Sequence, residues 1–336
     1  MTGTVVGVDL GGTKVAAAPL RDGRLGESVV NPTSLSDAAT LIDELAAVVE
    51  EAAGDPLEAV GIGVPSIVEF ETGRVVSSVN VPLADVPLRH VLGERLGVPV
   101  FVDNDATVAA LAEAHDEELR LVTRNLVMLT VGTGIGGGIV LGGRIYRGSG
   151  GAGELGHTIV GMDLSGAVPP PVGFPQPGSL ESVAAGHALD RMAREAAERN
   201  PDSELGRLRQ QGAPVLGSDV VGAALEGDAV ALRLLEIWGE HVGIGVANAI
   251  NAFDPDEVVI GGGGALAGEL LMAPVRRVVR EYVHPGLVGR TAIRLARHGL
   301  RAGVLGAAML AMQELELPRA TVAGGATTTA TEEVRR

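Results

Sequence analysis

The sequence predicts an α/β protein of two lobes with a cleft between them. Short β-branched runs end in clusters of glycine, long helical patterns alternate with those runs, and one strand-then-glycine pattern occurs in both halves of the chain. A chain of 336 residues with 46% apolar and 20% charged content can bury a core in each of two such units.

The first lobe is expected over residues 1–118. Residues 4–10 form an apolar strand that meets Gly11-Gly12-Thr13-Lys14, and residues 14–20 return as the second arm of a hairpin. Ser34-Leu35-Ser36-Asp37 opens a helix whose apolar stripe, Leu41, Leu45 and Val48, ends at Gly54. Residues 57–64 read as strand and Glu71-Thr72-Gly73-Arg74 as a hairpin turn. An extended run over 98–102 then gives way to a helical pattern over 107–117.

The second lobe is expected over 119–300. Leu126 to Val131 repeats the first motif: a buried strand, then Gly132-Thr133-Gly134-Ile135-Gly136-Gly137-Gly138 leading into another strand and the turn at 142–144. Long helices are expected at 180–198, 228–252 and 265–283, with Trp238 in the core at helical spacing. A third glycine cluster, Gly261 to Gly264, closes the apolar run Glu257 to Ile260. A last helix, 302–315, returns to the first lobe, and residues 317–336 have too little apolar content to fold and read as a disordered tail.

The chemistry concentrates at Val102-Asp103-Asn104-Asp105-Ala106, where strand gives way to helix. Such junctions open onto the ligand crevice of α/β folds, which makes Asp105 a candidate general base. Asp is also a favoured helix N-cap, so the same residue has a purely structural reading. The glycine loops favour the chemical one. Gly11 and Gly12 let the backbone approach a phosphate, Thr13 and Lys14 can donate to its oxygens, and Asp9 is placed to hold a hydrated Mg²⁺. Gly132 to Gly134 repeat that logic with the Thr133 hydroxyl. The third cluster offers either a flat bed for a base or ribose at a helix start, or a simple tight turn.

These motifs together resemble the ROK family of sugar kinases and sugar-responsive repressors. The resemblance runs from about Val5 to about Met312 and also includes Gly61-Ile62-Gly63-Val64-Pro65, Gly153-Glu154-Leu155-Gly156-His157, Asn251-Ala252-Phe253-Asp254-Pro255 and Gly303-Val304-Leu305-Gly306-Ala307-Ala308. It implies an actin-like ATPase fold of duplicated ribonuclease-H-like domains, with sugar and ATP in the cleft. By the same resemblance, Asp9 organises the metal–phosphate end, Gly11, Gly12, Thr13, Lys14, Gly132, Thr133 and Gly134 cradle phosphates, and Gly261, Gly262 and Gly263 border the adenosine. Asn104, Asp105, Glu154, His157 and Glu181 hold sugar hydroxyls, with Asn80 a further contact. Ser66 stands where the family usually has Gly, beside the sugar.

A second departure is larger. The family's zinc site combines the His of its Gly-x-Glu-x-Gly-His stretch with three cysteines, and this chain has no cysteine. Val172, Phe174 and Ser179 stand at the sulfur positions, which predicts no zinc and leaves the proline-rich segment 168–178 to be held by other means.

Composition limits the partners. A net charge of −16 argues against nucleic acid, and Arg276-Arg277 with Arg280 reads as one solvated helix face. The absence of a leader pattern, of a membrane-length apolar run and of cysteine fits a cytoplasmic protein. Only three residues precede the first strand, which disfavours a helix-turn-helix regulator, and a homodimer is expected from the resemblance. The expected activity is ATP- and Mg²⁺-dependent phosphorylation of the primary hydroxyl of a hexose, glucokinase-like. The alternatives are a kinase of an amino sugar such as kanosamine or of a C7-cyclitol, and a non-catalytic sugar sensor.

Overall fold

Glycine and β-branched residues alternate with helical stripes so that each half of the chain builds one sheet. The computed structural model describes residues 3–54, 56–78 and 80–316; the tail expected at 317–336 lies outside the described residues. In the first half, β1 (Thr4–Leu10), β2 (Lys14–Arg21), β3 (Arg24–Leu25) and β4 (Val29–Pro32) precede helix α1 (Ala38–Ala53). They are followed by β5 (Leu57–Val64), the hairpin β6 (Ser66–Glu69) and β7 (Arg74–Ser78), α2 (Leu88–Leu96), β8 (Val100–Asn104) and α3 (Asp105–Glu113). The second half contains β9 (Leu126–Val131), β10 (Ile135–Leu141), β11 (Arg144–Ile145), α4 (Leu180–Ala184), α5 (Gly186–Arg199), α6 (Glu204–Gln210) and α7 (Gly217–Leu225). It ends with α8 (Ala229–Phe253), β12 (Glu257–Gly261), α9 (Glu269–Tyr282), β13 (Ala292–Leu295) and α10 (Ala302–Glu316).

The two sheets repeat one topology. The first has the order β3-β2-β1-β5-β8, with β4 also on β2, and the second has β11-β10-β9-β12-β13. In each, the first two pairings are antiparallel and the last two parallel. The two-lobed α/β architecture read from the glycine loops is the one observed.

Local chemistry sets the helix boundaries. Asp37 caps α1 by accepting from the Thr40 amide at 2.9 Å, and Gly54 stops it at φ +54°. At the central junction the strand extends to Asn104 and the helix begins at Asp105, earlier than the sequence pattern suggested. The reason is the cap: the Asn104 side chain accepts from the Thr107 amide at 3.1 Å, so Asn104 is the N-cap and Asp105 the first helical residue. The helix expected at 180–198 is divided at Ala185, which is extended, and the one expected at 265–283 begins as a 3-10 turn before Gly268.

Helices α3 and α10 cross between the sheets and exchange sides. The first, although it leaves the first sheet, packs under β9 and β10, and α10 packs on β1 and β5. Glycine makes this possible. A Cβ on Gly306 would lie 1.7 Å from the Val108 carbonyl oxygen, and one on Gly61 would lie 1.8 Å from that of Ala307. The far end of α3 is fastened by Glu113, which is wholly buried and receives Arg294 Nη1 at 2.6 Å and the amides of Arg297 and His298 at 3.0 and 2.9 Å. Such a buried carboxylate is tolerable only when its lone pairs are all met.

The crossing predicts a sharp contrast between two glycines. Gly61→Ala should lose about 1–3 kcal/mol or more in urea unfolding, because its new methyl meets backbone that cannot move alone. Gly222→Ala, on α7 with open space around it, should be neutral or slightly stabilising. Equal effects at the two positions would contradict the crossing geometry.

Candidate active site

The carboxyl ends of β1, β5 and β8 lie side by side, since Asp9 pairs with Gly63 and Gly63 with Asp103. Asp105 starts α3 one step beyond, and a Cβ on Gly63 would lie 3.2 Å from its Cα. Parallel strands therefore bring Asp9 and Asp105 close together, although they are 96 residues apart in the chain. The surrounding protein raises the pKa of Asp9, partly offset by Lys14. Asp105 is pushed up to about 7, first by burial, then by the charge of Asp9, with Glu154 adding to the rise and the Ala106 amide opposing it. A carboxylate so placed is a proton acceptor near neutral pH.

Three glycine turns follow the ends of β1, β9 and β12. In the first, the Gly11 amide donates to the Lys14 carbonyl at 2.9 Å and Thr33 Oγ1 to the Gly11 carbonyl at 2.8 Å, which leaves the Thr13 and Lys14 side chains exposed. Asn80 lies beside Gly12, 3.7 Å from where a Cβ there would sit. In the second, the Gly132 amide donates to the Gly134 carbonyl at 2.9 Å, and the α5 N-terminus meets it through the Gly186 amide on Gly132 O at 2.7 Å. The third abuts the second: Gly262, at φ +78°, would put a Cβ 2.5 Å from the Val131 carbonyl oxygen, while Gly263 faces open space. Backbone amides at a turn and helix start of this kind suit phosphate oxygens.

The remaining residues divide. Asn104 caps α3 and its Nδ2 lies 3.4 Å from the Ser66 carbonyl oxygen, so it ties the β6 hairpin to the site. The Ser66 hydroxyl is buried with no hydrogen-bond partner among the described residues. Glu154 and His157 sit on a loop crossing β10, with His157 Nε2 3.5 Å from Glu154 Oε2. Glu181 Oε2 accepts from the Ile135 amide at 2.7 Å and thereby braces the second glycine turn. Two residues that sequence reasoning did not single out stand behind Asp105: Asp103, and Arg147, whose Nε donates to it at 2.7 Å. No local pattern marks Arg147; only the folded chain brings it to β8.

A model of the ROK family matches residues 5–314. The chain belongs to the ROK family. A glucokinase of Halalkalibacterium halodurans is 34% identical over 92% of this chain and 95% of its own. A crystal structure of a ROK family glucokinase from Streptomyces griseus, in complex with glucose and AMPPNP, has 32% identity and a TM-score of 0.78, covering 93% of this chain and 100% of the other. A ROK hexokinase from Thermus thermophilus has 38% identity and a TM-score of 0.72, covering 93% and 99%. The fold is the actin-like ATPase fold.

The ROK zinc site is a poor fit to the residues present here. His157 offers one nitrogen, but Val172 and Phe174 carry no donor and Ser179 is occupied as the N-cap of α4, accepting from the Ser182 amide at 3.2 Å. A tetrahedral zinc site needs four nitrogen or sulfur donors. The segment is instead held by its backbone and one ring contact. Gly178 O receives the Val160 and Gly161 amides at 2.8 and 3.0 Å, and the Phe174 ring meets His157 edge-on at 5.3 Å. Asp9, by contrast, suits a hydrated magnesium ion carried by a nucleotide, which needs one or two carboxylates rather than a protein cage. Among the described residues no group of three or more ligating side chains could hold a metal by itself, and no helix is long and apolar enough to cross a membrane.

The raised Asp105 pKa fixes a pH dependence. With Asp105 as a general base, which works only when ionised, kcat/KM for the acceptor should rise with pH through about 7 and level off above it. An acid limb at about 4, the ordinary range of a carboxylate, would contradict the environment described.

Proposed function

We propose that this ROK protein phosphorylates the primary hydroxyl of a hexose, with Asp105 as the general base. The coarser statement stands on the family, the glucokinase relatives and the fold: the chain is an ATP-dependent sugar kinase. The observation that carries the finer reading is Asp105 itself, a carboxylate with a pKa of about 7 on the floor of a cleft bordered by three glycine turns.

Phosphoryl transfer to an alcohol requires little covalent work from the protein beyond alignment, charge stabilisation and removal of one proton. In this reading Asp105 accepts the hydroxyl proton as the oxygen attacks the terminal phosphorus of ATP, and Asn104, Glu154, His157 and Asn80 orient the sugar. Glu181 has one oxygen committed to the Ile135 amide and offers the sugar its other. Thr13, Lys14 and the amides of Gly12, Thr133 and Gly134 meet the phosphates, with Gly11 and Gly132 closing the two turns through their own amides, and Gly261 to Gly263 border the adenosine. Magnesium bound with the nucleotide would supply charge neutralisation at the transferred group, with Asp9 nearby to orient its water.

Ser66 supports a second reading of the acceptor. Its buried, unpartnered hydroxyl can donate to an amine or accept from an ammonium, so an amino sugar such as kanosamine, or a cyclitol, is the alternative substrate class.

Sugar-dependent ADP release from Mg-ATP, measured across glucose, mannose, glucosamine, kanosamine and cyclitols, tests both. The best acceptor identifies the class, and Asp105→Asn should lower its turnover by about 10² to 10⁴. An unchanged rate in that variant would remove Asp105 from the role. Saturable sugar binding without ADP release from any acceptor would favour a sensor.

A further inference from the structure

Asp103 is 5% exposed, and its neighbours are drawn from both lobes. It lies on β8 of the first sheet, while Arg147 leaves β11 of the second sheet. Arg147 Nε meets Asp103 Oδ2 at 2.7 Å, and Asp103 Oδ1 accepts from the Asn104 amide at 2.9 Å. The guanidinium also lies over the Phe70 ring, 3.5 Å from its centre, in the turn between β6 and β7. One face of Arg147 is thus fixed by an aromatic ring and one edge by a carboxylate, which leaves it a single orientation.

We infer that Arg147 is a positioning residue for the transfer reaction: it pins Asp103 across the lobes and so fixes the Asn104–Asp105 junction at which the base stands. Asn104 is both the residue whose amide Asp103 holds and the N-cap of α3, and Asp105 is the first residue of that helix. A buried carboxylate on the residue before the cap sets where the helix begins, and the cation hydrogen-bonded to it comes from the other lobe, with Arg89 of α2 adding a weaker charge. Arg147 also borders a cavity of about 640 Å³ with Arg144, Tyr146 and Glu314, so replacing its head group does not force a clash. Without the pin, Asp103 is a buried carboxylate left with the Asn104 amide and the weaker charge of Arg89, and the strand end would shift to give it water.

This inference rests on the kinase reading above, and the test separates the two. Arg147→Met keeps the packing on Phe70 and removes the charge. Relative to the wild type assayed alongside, it should lower kcat about 10- to 10²-fold, the cost of misplacing a reacting group by about 1 Å, with the KM for ATP unchanged. Arg147→Lys should recover part of the loss, and adding Asp103→Asn to Arg147→Met should cost little more, since both act through one contact. A lowered melting temperature with unchanged kcat, or a loss that appears in the KM for ATP, would overturn the positioning role. The chain has no cysteine, so spin labels at cysteines replacing Glu51 on α1 and Glu226 after α7 report the distance between lobes without background. Arg147→Met should broaden that distance distribution. If the wild type releases no ADP with any acceptor, the kinase reading fails by itself, and an unbroadened distribution would then overturn the pin.

Discussion

The crossing of α3 and α10 is the constraint on which the rest depends. Each helix begins in one half of the chain and packs on the other half's sheet, and their backbones meet at Gly306 with no side chain between. Gly61 gives α10 the same intimacy with β5. This closeness lets α3 and α10 build an apolar cluster with β9, β10 and β12, beside the separate cores of the two lobes, and it sets where the first residue of α3 stands. A base at a helix start gains rigidity from the helix behind it, here fastened at its far end by Glu113 and Arg294.

The cleft separates tasks by charge. Asp9 comes close enough to Asp105 to resist its ionisation, as a neighbouring carboxylate does. Lys14 opposes the rise at Asp9. In the proposed reading the two carboxylates meet different partners, Asp9 the metal–phosphate end and Asp105 a proton.

Much of this was legible in the chain because it is local. Residues 4–10 and 126–131 announce themselves by β-branched runs stopped at glycine and 57–64 by one stopped at Pro65, and the repeated loop foretold the repeated sheet. At the junction of 102–106 the cap was not legible, since Asp and Asn are both good caps and only geometry shows that Asn104, not Asp105, takes the role. The inner glycines of the second loop were read as part of a phosphate motif. Several of them lie within β10 and serve packing: a Cβ on Gly138 would lie 2.4 Å from the Ala106 carbonyl oxygen, and one on Gly137 would lie 2.3 Å from that of Gly153. Arg147 was invisible because its significance comes from a partner 44 residues away on another sheet. The same is true of the unpartnered Ser66 hydroxyl: the sequence marks the residue as unusual, and only burial makes it an unmet hydrogen bond.

The most direct test of the account is to identify the atom that receives the phosphoryl group. Phosphorus–carbon coupling in the product made from Mg-ATP and glucose labelled with ¹³C at its primary alcohol carbon reports this in one spectrum. The account predicts a phosphate ester on that carbon, formed in step with ADP. Release of inorganic phosphate with the sugar unchanged, or an ester at a ring hydroxyl, would contradict it.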